Sequence, residues 1–328
     1  AMTVLKIAIV FFVVIVGFFY VKASNFTPFI PPSQPASTVE GSSAVTGVMT
    51  QPLWQFATGM PPSVYGVPGI LSGAALVFFA FIGFDVVATA SEETKNPHKN
   101  VPLGIGVGML LIIVMYMLVA VVTTGMVSYA DLAKQDSPSL ATAFELVGAD
   151  WAAKIISFGI VLGLATVVMV LLLGLTRIVF AMSRDGLLPR GLSKTGKHGT
   201  PAVLQIVVGT VVALVAAFFD IGVLSDMVNI GTLSAFTLVA ISIPIMRKKR
   251  PDLPRAFKMP GSPWIPILIA VANFWLMLNL SVLTWIRFVV WLVVGFAIYF
   301  GYGYWHARLG KGDLTETLSA ETDKAVNG

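Results

Sequence analysis

Ile155-Ile156-Ser157-Phe158-Gly159-Ile160-Val161-Leu162-Gly163-Leu164-Ala165-Thr166-Val167-Val168-Met169-Val170-Leu171-Leu172-Leu173-Gly174-Leu175-Thr176 runs from Lys154 to Arg177 without a charged residue. Crossing the hydrocarbon core of a bilayer takes roughly 20 apolar residues in one helix, and this stretch supplies them. It is continuously apolar, where a barrel strand would alternate, so it reads as a membrane-spanning α-helix. Working outward, comparable runs lie on both sides. They place candidate spans at about 2–21, 69–90, 103–127, 153–182, 202–219, 225–246, 264–283 and 286–305. The expected fold class is an all-α polytopic membrane protein of about eight transmembrane helices.

Composition agrees. Of 328 residues, 56% are hydrophobic and only 11% charged, against about 25% charged in a soluble domain. With mean hydropathy +0.87, the chain cannot cover a water-facing surface, and its solvent must be lipid. No cysteine occurs, which excludes disulfides, thiolate metal sites and cysteine nucleophiles. His98, His198 and His306 fall at or beyond span ends, so no metal site is expected. A pI near 9.4 would point to nucleic acid in a soluble protein. Here the basic residues sit in short loops between apolar runs, which is a topology signal and leaves nucleic acid out.

Those loops divide sharply. One set holds Lys95 and Lys99, then Arg184, Arg190, Lys194 and Lys197, then Arg247 to Arg250 with Arg255 and Lys258, and the tail adds Arg308, Lys311 and Lys324. The opposite set holds Lys22, Lys134 and Arg287. The bias places the basic loops and both termini in the cytoplasm of a plasma (inner) membrane protein. The connection 22–68, rich in Pro, Ser, Thr and Gly, becomes an extracellular loop with a short amphipathic turn around Pro52–Phe56, and 306–328 a cytoplasmic tail. An apolar span that begins at residue 2 admits two readings. One is a signal peptide with a small-residue site near Ala23-Ser24. The other, preferred, is that the natural N-terminal part is missing.

Asp85 is the one acid, among sixteen Asp and Glu, well inside an apolar run. A carboxylate at that depth costs a few kcal/mol or more unless a partner, water or protonation relieves it. Two roles fit: helix packing, or lining a substrate or proton pathway. Gly83 beside it, in Val77-Phe78-Phe79-Ala80-Phe81-Ile82-Gly83-Phe84-Asp85, is what a broken helix needs, and unwound carbonyls there would receive a substrate ammonium group. Lys6 has two readings as well: a lysine reaching the cytoplasmic interface, or a buried amine able to take and release a proton. Gly159, Gly163, Thr166 and Gly174 share a spacing that allows close helix packing. No Gly-rich phosphate loop, nucleophile elbow or metal-ligand helix motif occurs, so neither an enzyme nor a cofactor is expected.

Three stretches together resemble the cationic amino acid transporter family of the amino acid–polyamine–organocation superfamily. The first is Phe81-Ile82-Gly83-Phe84-Asp85 with Glu92-Glu93-Thr94-Lys95-Asn96-Pro97 and Val101-Pro102-Leu103-Gly104-Ile105. The second runs from Arg177 through Ala181-Met182-Ser183-Arg184-Asp185-Gly186-Leu187-Leu188-Pro189, and the third is Arg250-Pro251-Asp252-Leu253-Pro254-Arg255-Ala256-Phe257 followed by Pro260 and Pro266. The resemblance covers about 1–310 and implies the leucine-transporter-like fold of two inverted five-helix repeats plus two helices. On it, 1–21 is the last helix of a first repeat otherwise absent, 69–246 a complete second repeat, 247–263 a basic loop and 264–305 the two extra helices. The spans then correspond to the family's fifth through twelfth.

The resemblance also implies roles. The main-chain carbonyls of Phe79, Ala80 and Ile82 would face the substrate ammonium, Phe79 would be the aromatic gate, and Asp85 would line the pocket. Lys6 would couple a proton, with Thr166 opposite it. Two departures, Ala165-Thr166 where many relatives carry adjacent hydroxyls and Leu175 in place of a common glutamine, bear on that coupling site. The expected function is an amino acid permease: secondary active uptake of an amino acid, cationic or neutral, coupled to protons. The alternative is a non-transporting membrane fragment or assembly subunit of a split permease. With the first four helices absent, the 328 residues alone are expected not to bind substrate, because the helix N-terminus for its carboxylate is not among them.

Overall fold

Backbone N–H and C=O groups in lipid must be satisfied within their own segment, and the apolar runs accordingly fold as helices. The computed structural model describes residues 2–36, 47–84, 87, 94–135, 138–193, 201–251, 259 and 261–307. In chain order the helices are α1 (Met2–Phe18), α2 (Leu53–Thr58), α3 (Gly66–Val77), α4 (Pro97–Met126), α5 (Tyr129–Ala133), α6 (Leu140–Leu146) and α7 (Asp150–Arg184). They continue with α8 (Ala202–Phe218), α9 (Ile221–Lys249), α10 (Trp264–Leu278), α11 (Val282–Ile298) and α12 (Tyr304–His306). A π turn at Tyr299–Gly303 joins the last two. The strands β1 (Gln34–Pro35) and β2 (Ser63–Val64) form one short antiparallel pair.

Segments Lys99–Met126, Asp150–Arg184, Ile221–Lys249 and Val282–His306 are long and apolar enough to cross a membrane, and Thr3–Phe18, Gly66–Phe81, Ala202–Phe218 and Trp264–Leu278 are shorter apolar helices. Their large side chains face outward in quantity, Leu110, Met117, Val161, Met169 and Trp291 among them. A helix apolar on all faces with its side chains exposed is stable only when lipid is the solvent. The chain is an all-α polytopic membrane protein. At 35 residues, α7 extends about 50 Å, more than the ~30 Å hydrocarbon core, so it tilts or projects. The short helices α5 and α6 lie between expected spans; each begins at a serine whose hydroxyl accepts a backbone N–H, Ser128 from Asp131 and Ser139 from Thr142. The turn expected around Pro52–Phe56 is the helix α2.

Two compact units divide the chain: Ala1–Val168 with Ser225–Trp285, and Met169–Leu224 with Ile286–Gly328. The core of the first gathers Val13, Val122, Met126, Phe144, Ala153 and Ile156. Small residues let its helices close. A Cβ on Gly17 would strike Val122, and one on Gly159 would strike Ile9. Gly163, one turn further along α7, has nothing within 4 Å, so the small-residue spacing packs at Gly159 and not there. The connection after α1 is tied down by Lys22 N and Asn25 Nδ2, both donating to Gly125 O at 2.8 Å. Residues 49–53 run along the α10–α11 turn: Leu53 N donates to Leu280 O (3.0 Å) and Val282 N to Gln51 O (3.1 Å).

In the second unit the end of α7 is sealed by its own sequence. Gly186 takes φ +83°, a conformation that favours glycine. Leu187 N returns to Met182 O at 2.9 Å, and the buried Ser183 hydroxyl donates to Pro189 O at 2.7 Å. A Cβ at Gly186 would meet the His306 carbonyl, so the turn 183–189 and the end of α12 fit only with glycine there.

Candidate functional site: a broken helix beneath a cavity

Helix α3 stops at Val77. Phe78–Phe81 tighten into a 3-10 turn, Ile82 is extended (φ −66°, ψ 138°), and Gly83 takes φ +117°. Only glycine enters that region at no steric cost, which is why the apolar run breaks here and not a turn earlier. Helical conformation returns at Phe84. The break releases carbonyls from the regular ladder into the interior of an apolar segment, where each needs a donor.

Two of these carbonyls have donors. Ile82 N donates to Phe79 O at 3.2 Å, and the Tyr116 hydroxyl of α4 donates to Ala80 O at 2.8 Å. Above the break, Asn229 of α9, fully buried, brings Nδ2 to within 3.5 Å of Leu76 O, while its Oδ1 has no partner among the described residues. Rings bracket the segment. Phe81 meets Tyr116 edge-on at 5.1 Å, and Phe78 and Phe84 lie 6.2 and 5.2 Å from Phe236 of α9. Phe79 makes none of these contacts and is 43% exposed. The segment of Phe79, Ala80 and Ile82 is therefore unwound, with three of the run's phenylalanines packed and Phe79 turned out. Asp85 lies outside the described residues.

Lys6 and Thr166 are on α1 and α7. Ile9 abuts Gly159, and Phe12 meets Trp151 at 5.8 Å, so the helices run antiparallel. At 1.5 Å rise per residue, Lys6 is carried to about the level of Leu162, one turn short of Thr166. The Thr166 hydroxyl donates to Gly163 O of its own helix at 2.8 Å. Among the described residues no hydrogen bond joins it to Lys6, which is half-buried.

A cavity of about 680 Å³ opens over the N-terminal half of α3. Leu76 forms part of its wall, one residue before the helix ends, and Tyr65, Ser72, Tyr129, Asp226 and Asn279 contribute polar groups. Tyr65 holds φ 62° and ψ −173°, a strained conformation for a side-chain-bearing residue, costing on the order of 1–3 kcal/mol. The Asp226 carboxylate accepts from the Thr284 hydroxyl at 3.1 Å. Tyr116, Asn229, Asp226 and Asn279 were not singled out from the sequence. Asp226 and Asn229 stand three apart at the start of an apolar run, which is one helix face, and that spacing was the available signal.

The model of the amino acid permease family matches residues 1–303. The chain belongs to that family. It is 42% identical over 311 residues to the branched-chain amino acid permease BcaP of Bacillus subtilis (strain 168), covering 94% of this chain and 60% of the relative. It is 39% identical over 308 residues to the methylthioribose transporter of the same organism, covering 94% and 59%. Over 195 residues it is 45% identical to cationic amino acid transporter 3, mitochondrial, of Arabidopsis thaliana, covering 59% and 31%. This permease-family chain thus spans about three fifths of the length of its Bacillus relatives. The family is one of transporters, so the chain is not classed as an enzyme.

Proposed function

We propose that this chain carries the substrate-binding break of an amino acid permease, a secondary transporter that moves an amino acid across the plasma membrane by alternating access. The observation that carries the reading is the unwinding of α3 at 78–83, with Gly83 at φ +117°. Such a break in an apolar segment offers oriented carbonyl dipoles to an ammonium group, and it is tolerated where it lines a cavity. Phe79, Ala80 and Ile82 supply those carbonyls, Phe79 closes over the substrate, and Asp85 lines the pocket. The permease and cationic amino acid transporter names of the relatives support the substrate class.

Lys6 couples a proton in this reading. A lysine amine at the α1–α7 contact either releases its proton or pairs with carbonyls and the Thr166 hydroxyl, and alternation between the two links protonation to closure. The loop charge bias puts both termini, 91–102, 183–200 and 247–262 in the cytoplasm, and the cavity over α3 on the outer side. Residues 69–246 form one five-helix repeat, followed by the basic loop 247–263 and two further helices in 264–305.

The test is uptake by the natural full-length protein in proteoliposomes under an inward proton gradient, offered radiolabelled leucine, lysine or methylthioribose. Saturable leucine or lysine uptake that collapses with the gradient is expected. Uptake of methylthioribose alone, or of none of the three, contradicts the reading.

A further inference from the structure

The Asn229 amide, fully buried on α9, is only half used. Nδ2 donates toward Leu76 O, in the last turn of α3, at 3.5 Å, and Oδ1 has no partner among the described residues. A flipped amide would set oxygen against oxygen, so its orientation is fixed. Leu233 and Ala240 of the same helix are buried as well, and Phe236 meets the Phe78 and Phe84 rings at 6.2 and 5.2 Å. Residues 229, 233, 236 and 240 share one helix face. That face therefore supports the break from both ends, with Asn229 at the turn that enters it and Phe236 at rings before and after it. Packing alone does not call for an amide at 229. A leucine of similar size would fill the space against Leu76 and leave no polar atom unmet. A buried acceptor without a donor is rare and lowers stability. Residues that break such a rule concentrate at functional positions, and this one lies beside the break.

We propose that Asn229 is a positioning residue for the break: Nδ2 steadies the end of α3, and Oδ1 accepts a backbone N–H that the segment 78–83 turns toward it on closing around an amino acid. Asn229 does not touch the substrate. It acts through the segment whose carbonyls do. A ligand shifts a conformational equilibrium only by what it gains in one state over the other, and a hydrogen bond made in the closed state alone adds to that gain. The open state keeps the unmet oxygen, and with it a drive toward closure. The inference rests on the function proposed above and deepens it, by naming a residue that sets the closed arrangement of the site.

The test is Asn229→Leu in the natural full-length protein, with two readouts. Uptake of radiolabelled leucine and lysine into proteoliposomes gives KM, and thermal unfolding in detergent gives stability with and without the amino acid. Ligand-free Asn229→Leu should unfold at the wild-type temperature or above it, because the unmet oxygen is gone. Its KM for the transported amino acid should rise about fivefold, the worth of one hydrogen bond. The gain in unfolding temperature that saturating amino acid gives the wild type should shrink. A merely structural residue would show the opposite pattern, lower stability at constant KM, and that result overturns the inference. So does a KM within about twofold of the wild type at equal stability. Should Asn229→Leu not reach the membrane, Asn229→Ala, which removes the amide without adding bulk, decides by the same KM. Wild-type protein that takes up neither amino acid fails the proposed function and this inference with it. Wild-type uptake with KM unmoved in the variants fails this inference alone.

Discussion

A carbonyl oxygen has two lone pairs, and at Ala80 one of them takes the Tyr116 hydroxyl at 2.8 Å. The other remains for a ligand, so Tyr116 aims the carbonyl as well as satisfying it. Tyr116→Phe should leave that group under-satisfied, at about 1 kcal/mol, and weaken amino acid binding roughly fivefold at unchanged membrane abundance. Unchanged KM would remove Tyr116 from the site. Asp85→Ala separates pocket from packing. As a pocket residue it changes KM or selectivity at near-normal abundance, whereas loss of abundance and transport together at constant KM indicates packing. For Lys6, replacement by methionine keeps an unbranched apolar stem and removes the charge. Lys6→Met should abolish proton-driven accumulation while the protein still inserts, and unaltered uptake and pH dependence would leave an interfacial lysine.

Helix contacts make the sharpest contrast at the scale of elements. A Cβ at Gly159 meets Ile9 of α1, while one at Gly163 meets nothing within 4 Å. Gly159→Ala should lower stability by about 1–3 kcal/mol through overpacking. Gly163→Ala should raise it by up to ~1 kcal/mol through helix propensity. Thermal unfolding in detergent reads both, and equal shifts would contradict the packing. At the start of α5, the Ser128 hydroxyl and Lys134 hold the Asp131 carboxyl below its ordinary 3.8. A depressed carboxylate contributes above its unfolded value and loses that contribution as pH falls through the folded one. The Asp131 carboxyl carbon, followed by NMR, should therefore titrate below 3.8.

The break was readable because Gly83 interrupts an apolar run beside an acid, a local signal. The positions of the helices were readable from the apolar runs, again a local signal. Tyr116 on Ala80 and Asn229 on Leu76 join residues 36 and 153 apart, and hydrophobic periodicity contains nothing about which polar group meets which across such distances. Asp226 drew no reading of its own, because it stands at the edge of the span expected at 225–246, whereas the helix begins at Ile221.

Across the whole molecule, one asymmetry orders everything: basic residues crowd one set of loops. Single cysteines at Ser43, Ser139 and Ser193 give the orientation directly, and the 328 residues contain no other thiol. An impermeant reagent on intact cells should label Ser43→Cys and Ser139→Cys and spare Ser193→Cys; the reverse would invert the topology and put the cavity on the inner side. The central claim is that the unwound segment of α3 is where an amino acid binds. Phe79, 43% exposed at the break, is the position to ask. In the natural full-length protein, a water-soluble thiol reagent should modify Phe79→Cys at least fivefold more slowly in saturating amino acid, with Ser139→Cys unaffected. Equal rates at Phe79→Cys with and without an amino acid that is still transported would place the substrate elsewhere and contradict the account.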